Sequence, residues 1–219
     1  LPQGTAYKYD QLNRILEEQA YTNLDTTTNV WGNGSTYAGR YHNVFSYDAN
    51  GNILTQERAD ASGTSFDQLT YNYRTDGLGN KYQNRLYQVQ DAASNSAATD
   101  DIDDQDQSTP IGVGHAYDNA NANTANNYQY DEIGNLVKDH QEEIDQITWT
   151  VYGKIKSITR ATGSTKSDLE FNYDASGNRT SKIEKPRPGG SPSSSGDWTT
   201  TYYARDAQGN IMTTYKLAP

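Results

Sequence analysis

The chain has 219 residues, 28 of them acidic against 18 basic, a net charge of -10 and no cysteine. That length suits one domain or two. The acidity argues against a protein that wraps nucleic acid, where each phosphate contact needs a free Lys or Arg, and against charge-driven docking on an anionic membrane. No apolar run approaches the roughly 20 residues that span a bilayer, so direct membrane insertion is not expected. Missing cysteine removes disulfides and thiolate metal sites, and fits a secreted or a cytosolic protein equally. Leu, Ile, Val and Phe together make up only about 14% of the chain, a proportion typical of disorder. Eighteen Tyr and three Trp point the other way, because aromatic rings suit pleated, half-buried surfaces.

Pattern decides between these readings. The pentapeptide Asp-x-x-Gly-Asn occurs five times, at 48–52, 76–80, 131–135, 174–178 and 206–210; chance gives roughly 0.15 copies. A sixth copy at 10–14 carries Asn13 in place of Gly. In chain order, the first turn is predicted at Asp10, followed by a strand over the stretch Arg14 to Tyr21, although that stretch tolerates helix. Gly32-Asn33-Gly34 reads as a turn. Tyr41, Asn43, Phe45 and Tyr47 share one strand face before the turn from Asp48 to Gly51. Leu69, Tyr71 and Tyr73 lead into Asp76 to Gly79. Tyr128 and Tyr130 precede Asp131 to Gly134; Ile147, Trp149 and Val151 share another face. Leu169, Phe171 and Tyr173 alternate with polar residues before Asp174 to Gly177, and a last strand ends at Asp206 to Gly209. Alternation of period two is the mark of a half-buried strand.

The turn has a physical basis. Asp at the first position of a type I turn accepts bonds from backbone N–H groups farther along. Gly three residues later takes the left-handed conformation that closes a three-residue hairpin with a bulge, and Asn13 tolerates that conformation better than other side chains. Asp10, Asp48, Asp76, Asp131, Asp174 and Asp206 are therefore read as turn formers, not catalytic groups. The rings Tyr9, Tyr47, Tyr130, Tyr173 and Tyr203 beside the turns are expected to stack on one another as an aromatic ladder.

The segments Tyr9-Asp10-Gln11-Leu12-Asn13-Arg14, Tyr47-Asp48-Ala49-Asn50-Gly51-Asn52, Tyr130-Asp131-Glu132-Ile133-Gly134-Asn135 and Tyr173-Asp174-Ala175-Ser176-Gly177-Asn178 resemble the YD repeats of the RHS (rearrangement hotspot) proteins. Tyr202 to Asn210 resembles the variant found near the end of the RHS core. Two features depart from the common pattern: Asn follows the Gly at five sites where the usual family form has Arg, and Trp149-Thr150-Val151-Tyr152-Gly153-Lys154 is a copy without its Asp. Both are most similar to RHS proteins of Bacteroidota. The resemblance implies an all-β fold over 1–219: an antiparallel YD-repeat β-ribbon spiralling as part of a hollow shell around a C-terminal toxin or effector. The chain begins at Leu1 and is read as an internal piece of that longer protein.

Outside the repeat, two long loops are expected at about 91–112 and 185–197. The first carries Asp100, Asp101, Asp103, Asp104 and Asp106; a Ca²⁺ loop would use such carboxylates, but the EF-hand spacing fails and a solvated hairpin is preferred. The second, rich in Pro, Gly and Ser, reads as flexible. His42, His115 and His140 are scattered without ligand spacing. Glu142, Glu143 and Asp145 could be imagined as a glycosidase pair, and solvated surface is the preferred reading. No catalytic residue, metal ligand or cofactor is predicted.

The leading expectation is a non-catalytic wall segment of a secreted or cell-surface RHS protein, whose partner is the remainder of its own chain including an effector. The alternatives are an adhesin-like module binding carbohydrate or protein through its tyrosines, and an RHS substrate held by secretion (type 9) or outer-membrane machinery.

Overall fold

A computed structural model of the chain describes residues 3–32, 39–93 and 117–219. The fold is all-β and antiparallel. It divides into two compact units, the second beginning at Asn123 for the described residues.

The first unit is a six-stranded sheet in the order β1-β2-β5-β6-β7-β8, formed by β1 (Gln3–Tyr9), β2 (Ile15–Thr22), β5 (Asn43–Tyr47), β6 (Ile53–Ala59), β7 (Ser65–Thr75) and β8 (Lys81–Asp91). A small hairpin of β3 (Leu24–Asp25) and β4 (Val30–Trp31) interrupts it between β2 and β5. The Arg14 to Tyr21 segment is strand, because pairing with β1 across Thr5–Ala20 and Tyr7–Glu18 overrides its local helix tolerance. Tyr41 does not belong to the β5 face: it sits before the strand in the left-handed region (φ 49°), its N–H donating to the Asp60 carbonyl. The core of this unit is small, built on Leu69, Tyr87, Val89 and Ala122.

The second unit is an eight-stranded meander, each strand pairing with the next in sequence: β9 (Tyr128–Tyr130), β10 (Leu136–Asp139), β11 (Ile144–Trp149), β12 (Ile155–Arg160), β13 (Asp168–Tyr173), β14 (Arg179–Lys185), β15 (Thr199–Arg205) and β16 (Ile211–Leu217). Ile147 and Phe171 are its buried apolar residues. Val151 lies in the turn after β11 and is 93% exposed, so it does not extend the face of Ile147 and Trp149. Among the described residues neither sheet closes on itself, and β1 and β16 are exposed along nearly their whole length. The Asp-rich run from Asp100 to Asp106, His115, Asn33 and Gly34 lie outside the described residues.

Within each unit the repeat turns link β1 to β2, β5 to β6 and β7 to β8, then β9 to β10, β11 to β12, β13 to β14 and β15 to β16. They therefore share one end of each meander, with the other connections at the opposite end. At that opposite end, in each unit, an Arg–Asp pair joins elements: Arg58 with the fully buried Asp67 in the first, Arg187 with Asp168 in the second.

The connection at 186–198 is held, contrary to its flexible composition. Arg187 is 5% exposed, and its guanidinium donates to Asp168 Oδ2 (2.9 Å), Gly190 O (3.0 Å), Ser164 O (3.1 Å) and Ala161 O (3.2 Å). Gly163 and Gly190 meet backbone to backbone there; a Cβ on Gly190 would stand 2.7 Å from Gly163 Cα. Two 3-10 turns, Pro188–Gly190 and Ser195–Asp197, complete the loop, and Lys185 lies over the Trp198 ring.

Candidate functional site

The repeat turn is a closed hydrogen-bond unit. In each copy the N–H of the first residue donates to the carbonyl four residues on, and the N–H of the fourth residue returns to the carbonyl of the first, as in Asp48 N–H to Asn52 O (3.0 Å) and Gly51 N–H to Asp48 O (3.1 Å). Gly51, Gly79, Gly134, Gly177 and Gly209 have φ between 79° and 98°, and Asn13 has φ 60°. The carboxylate fills the turn. Asp76 Oδ1 accepts from the N–H of Leu78 (2.9 Å) and Asn80 (2.8 Å), and Asp206 Oδ1 from Gln208 (3.0 Å) and Asn210 (2.8 Å).

The second carboxylate oxygen explains the Asn that follows each Gly. Its Nδ2 donates to Oδ2 of the turn aspartate, from Asn52 (2.7 Å), Asn80 (3.1 Å), Asn135 (2.9 Å), Asn178 (3.1 Å) and Asn210 (2.9 Å). In the first turn Arg14 Nε does the same to Asp10 at 2.5 Å. Asn and Arg are thus two ways of supplying one donor. A seventh aspartate turn, Asp60 to Thr64, closes the opposite end of β6 and β7 with Gly63 at φ 86°. Sequence reasoning missed it because Thr64 replaces the Asn.

These bonds favour the ionised carboxylates. Asp76 and Asp206 are held below the usual range chiefly by the Asn80 and Asn210 carboxamides, Asp60 by the Ser62 hydroxyl, and Asp10 and Asp174 by the N–H groups of Arg14 and Asn178. At Asp48 and Asp131 burial pushes upward, but hydrogen bonds from Asn52 and Lys81, and from Asn135, outweigh it; Asp48 falls to about 2.

A second device joins successive repeats. The residue just before the turn sends a side-chain donor to the carbonyl five places after the start of the preceding turn. Tyr47 reaches Ile15 O (2.8 Å), Trp149 reaches Leu136 O (2.8 Å), Tyr173 reaches Ile155 O (2.8 Å) and Arg205 reaches Arg179 O (3.3 Å). In the third turn Tyr73, two places earlier, makes the equivalent bond to Ile53 O (2.9 Å). The expected aromatic ladder is replaced by this arrangement: neither Tyr47 nor Tyr173 stacks on the ring of a neighbouring repeat. Equivalent turns stand two strands apart, roughly 9.5 Å, beyond the 4.5–7 Å of an aromatic pair. The rings meet cations instead, Arg14 over Tyr47 at 4.8 Å and Lys81 over Tyr73 at 3.7 Å. Tyr9 lies 6.3 Å from Tyr7, Tyr203 lies under Arg205, and the Tyr130 N–H donates to Asn123 Oδ1. Tyr173→Phe keeps the ring and removes the hydroxyl bond, so it is expected to destabilise the second unit by about 1 kcal/mol in urea unfolding; an unchanged midpoint would show that the bond adds nothing.

The other candidate groups are drawn into local contacts. Glu142 pairs with Lys166 (3.1 Å), Asp145 with Lys138 (2.7 Å), and Glu143 accepts from the Ser164 hydroxyl. His42 faces Glu17 at 3.2 Å, and His140 faces Gln129 at 3.2 Å. Among the described residues no group of three or more His, Asp or Glu converges as a metal site, and no helix is long and apolar enough to cross a membrane.

No protein-family model matches the chain, and no curated protein matches it in sequence. Among solved structures, a Tc holotoxin pore of Photorhabdus luminescens carrying a mutated TccC3 is 16% identical over 98% of this chain and 11% of its own, with a TM-score of 0.42. A TcdB2–TccC3 complex is 14% identical over 98% of this chain and 12% of its own, with a TM-score of 0.41. The chain thus spans about an eighth or less of the length of these structures.

Proposed function

We propose that this chain is a non-catalytic wall segment of a large secreted RHS-repeat protein that encapsulates a C-terminal toxin or effector. The observation that supports this reading is the way the repeats propagate: each turn seals itself, and within each unit every turn after the first is strapped to the one before by a side-chain donor, in four of the five cases from the residue just before the turn. Such a ribbon grows by adding hairpins, and a wall that pairs its strands leaves few edges to aggregate. The carboxylates that could have been catalytic are engaged in turns and ion pairs. Toxin or self-cleavage activity then belongs to the rest of the protein, and the wall's partner is that cargo.

Mass measurement of the full-length protein tests this. Under native conditions one mass is expected, resolving on denaturation into two masses that sum to it, the mark of a shell holding a cleaved cargo. A single denatured mass with no effector sequence after the repeats would overturn the reading and leave a surface-binding protein.

A further inference from the structure

The turn between β11 and β12 lacks the aspartate of the other six repeat turns. Thr150 stands in its place, and the threonine Oγ1 accepts the Lys154 N–H at 3.1 Å. Elsewhere the side chain at the Lys154 position is bonded to the turn aspartate Oδ2; Lys154 has no such carboxylate in its own turn. Two residues on, Lys156 occupies the position held in the other turns by Leu16, Leu54, Tyr82, Val137, Thr180 and Met212. Alternation along the strand sends both lysines to the same face. Both are exposed, and neither ammonium has a hydrogen-bond or ion-pair partner among the described residues.

The lysines border an open cleft of about 440 Å³, whose apolar lining is Phe171, Tyr173 and the exposed Tyr152. Tyr173 meets it as a ring only, because its hydroxyl is bonded to Ile155 O. Arg179 lies over the Phe171 ring at 4.5 Å, and its Nε, shut off from solvent, has no hydrogen-bond acceptor among the described residues. Three cations thus gather around an aromatic lining. Asp174 also borders the cleft, but its oxygens are already bonded to Ser176 N–H, Asn178 N–H and Asn178 Nδ2. In a chain of net charge -10 this is a local reversal of sign.

We propose that this cleft docks a short acidic peptide segment of a partner protein: one large apolar side chain enters between Tyr152 and Phe171, and flanking carboxylates meet Lys154 and Lys156. Charge and lining select this occupant together. An apolar anchor in a pocket supplies affinity, and the cations around it set which anchors are accepted. Recognition is by side chains alone, because β11, β12, β13 and β14 are each paired on both sides and offer no edge for strand addition. A short segment suits the patch better than a long polyanion, which would run on past the cations over a surface that is acidic on average. The site does not depend on what the wall encloses.

Calorimetric titration of the full-length protein with the end-capped peptide Glu-Glu-Phe-Glu-Glu tests the assignment, with Glu-Glu-Ala-Glu-Glu and Gln-Gln-Phe-Gln-Gln as comparisons. The first is expected to bind, the peptide without the ring at least fivefold more weakly and the uncharged one at least tenfold. K154Q/K156Q should lose at least tenfold in affinity, and Tyr152→Ala, which leaves both charges in place, at least fivefold. Lys166→Gln, which removes a cation at the opposite end of the unit, should bind as the unaltered protein does. No binding of the first peptide, equal binding of the peptide without the ring, or unchanged binding by K154Q/K156Q would each overturn the proposal. An equal loss from Lys166→Gln would do the same, by reducing the effect to overall charge. Failure of the encapsulation reading would show separately, in the native and denatured masses.

Discussion

Arg187→Ala is expected to lower the stability of the second unit by about 3–5 kcal/mol, the usual cost of removing one partner from a buried ion pair. The substitution takes away the bonds to Ser164, Ala161 and Gly190 carbonyls together with the pair to Asp168. The Asp168 carboxylate would then keep the Arg160 N–H at 2.6 Å and no cation. Urea unfolding should show the lowered midpoint, and hydrogen exchange should show residues 161–167 and 186–198 losing protection before the strands. The double variant Asp168→Leu with Arg187→Met leaves no buried charge, so it should be less damaging than Arg187→Ala alone. A cost below about 1 kcal/mol for Arg187→Ala would mean that the loop is held by Trp198 and the glycine contact instead.

Acid should unfold the protein through its turns. Seven turn aspartates, at 10, 48, 60, 76, 131, 174 and 206, have lowered pKa values. Such a group binds a proton more readily in the unfolded chain, where its pKa is about 3.9. Its contribution to stability is complete above that value and is lost as pH falls through the folded pKa, about 2 for Asp48. Asp139 works in the opposite direction, because burial raises its pKa, and it offsets a fraction of the effect. Thermal melts are expected to change little between about pH 7 and 5 and to fall steeply between about pH 4 and 2. Asp174→Asn should lower stability at neutral pH and make the acid decline shallower. A melting temperature that falls mainly near pH 6 would argue against the turns.

The sequence by itself determined the β class and the repeat turns, though not the reversal at Asp60. Both are local matters. Alternation along Leu169 to Tyr173 marks a half-buried strand, and an aspartate whose Oδ1 meets the N–H groups two and four residues on, as Asp174 does, closes a turn within five residues. Even the departures were visible as text: Asn13 for Gly, and Thr150 for Asp. The role of the residue that follows the Gly was not. The Asn after each Gly and Arg14 differ in charge and length, and only their shared aim at Oδ2 shows them to be equivalent.

Tertiary structure decided everything that joins residues of different turns. The straps from Tyr47 to Ile15 and from Tyr173 to Ile155 span 32 and 18 residues, and they depend on strand register, which no single window of sequence contains. Trp149 and Arg205 share the tyrosine's role because an indole N–H and a guanidinium reach the same carbonyl, an equivalence of geometry and not of residue type. The loop at 185–197 reads as flexible because its Pro, Gly and Ser cannot build a core of their own. What orders it is Arg187, whose partners Asp168, Ser164 and Ala161 lie 19, 23 and 26 residues away. A turn is closed by atoms a few bonds apart, so its letters suffice. A ribbon is held by contacts between turns, which exist only once the strands have paired.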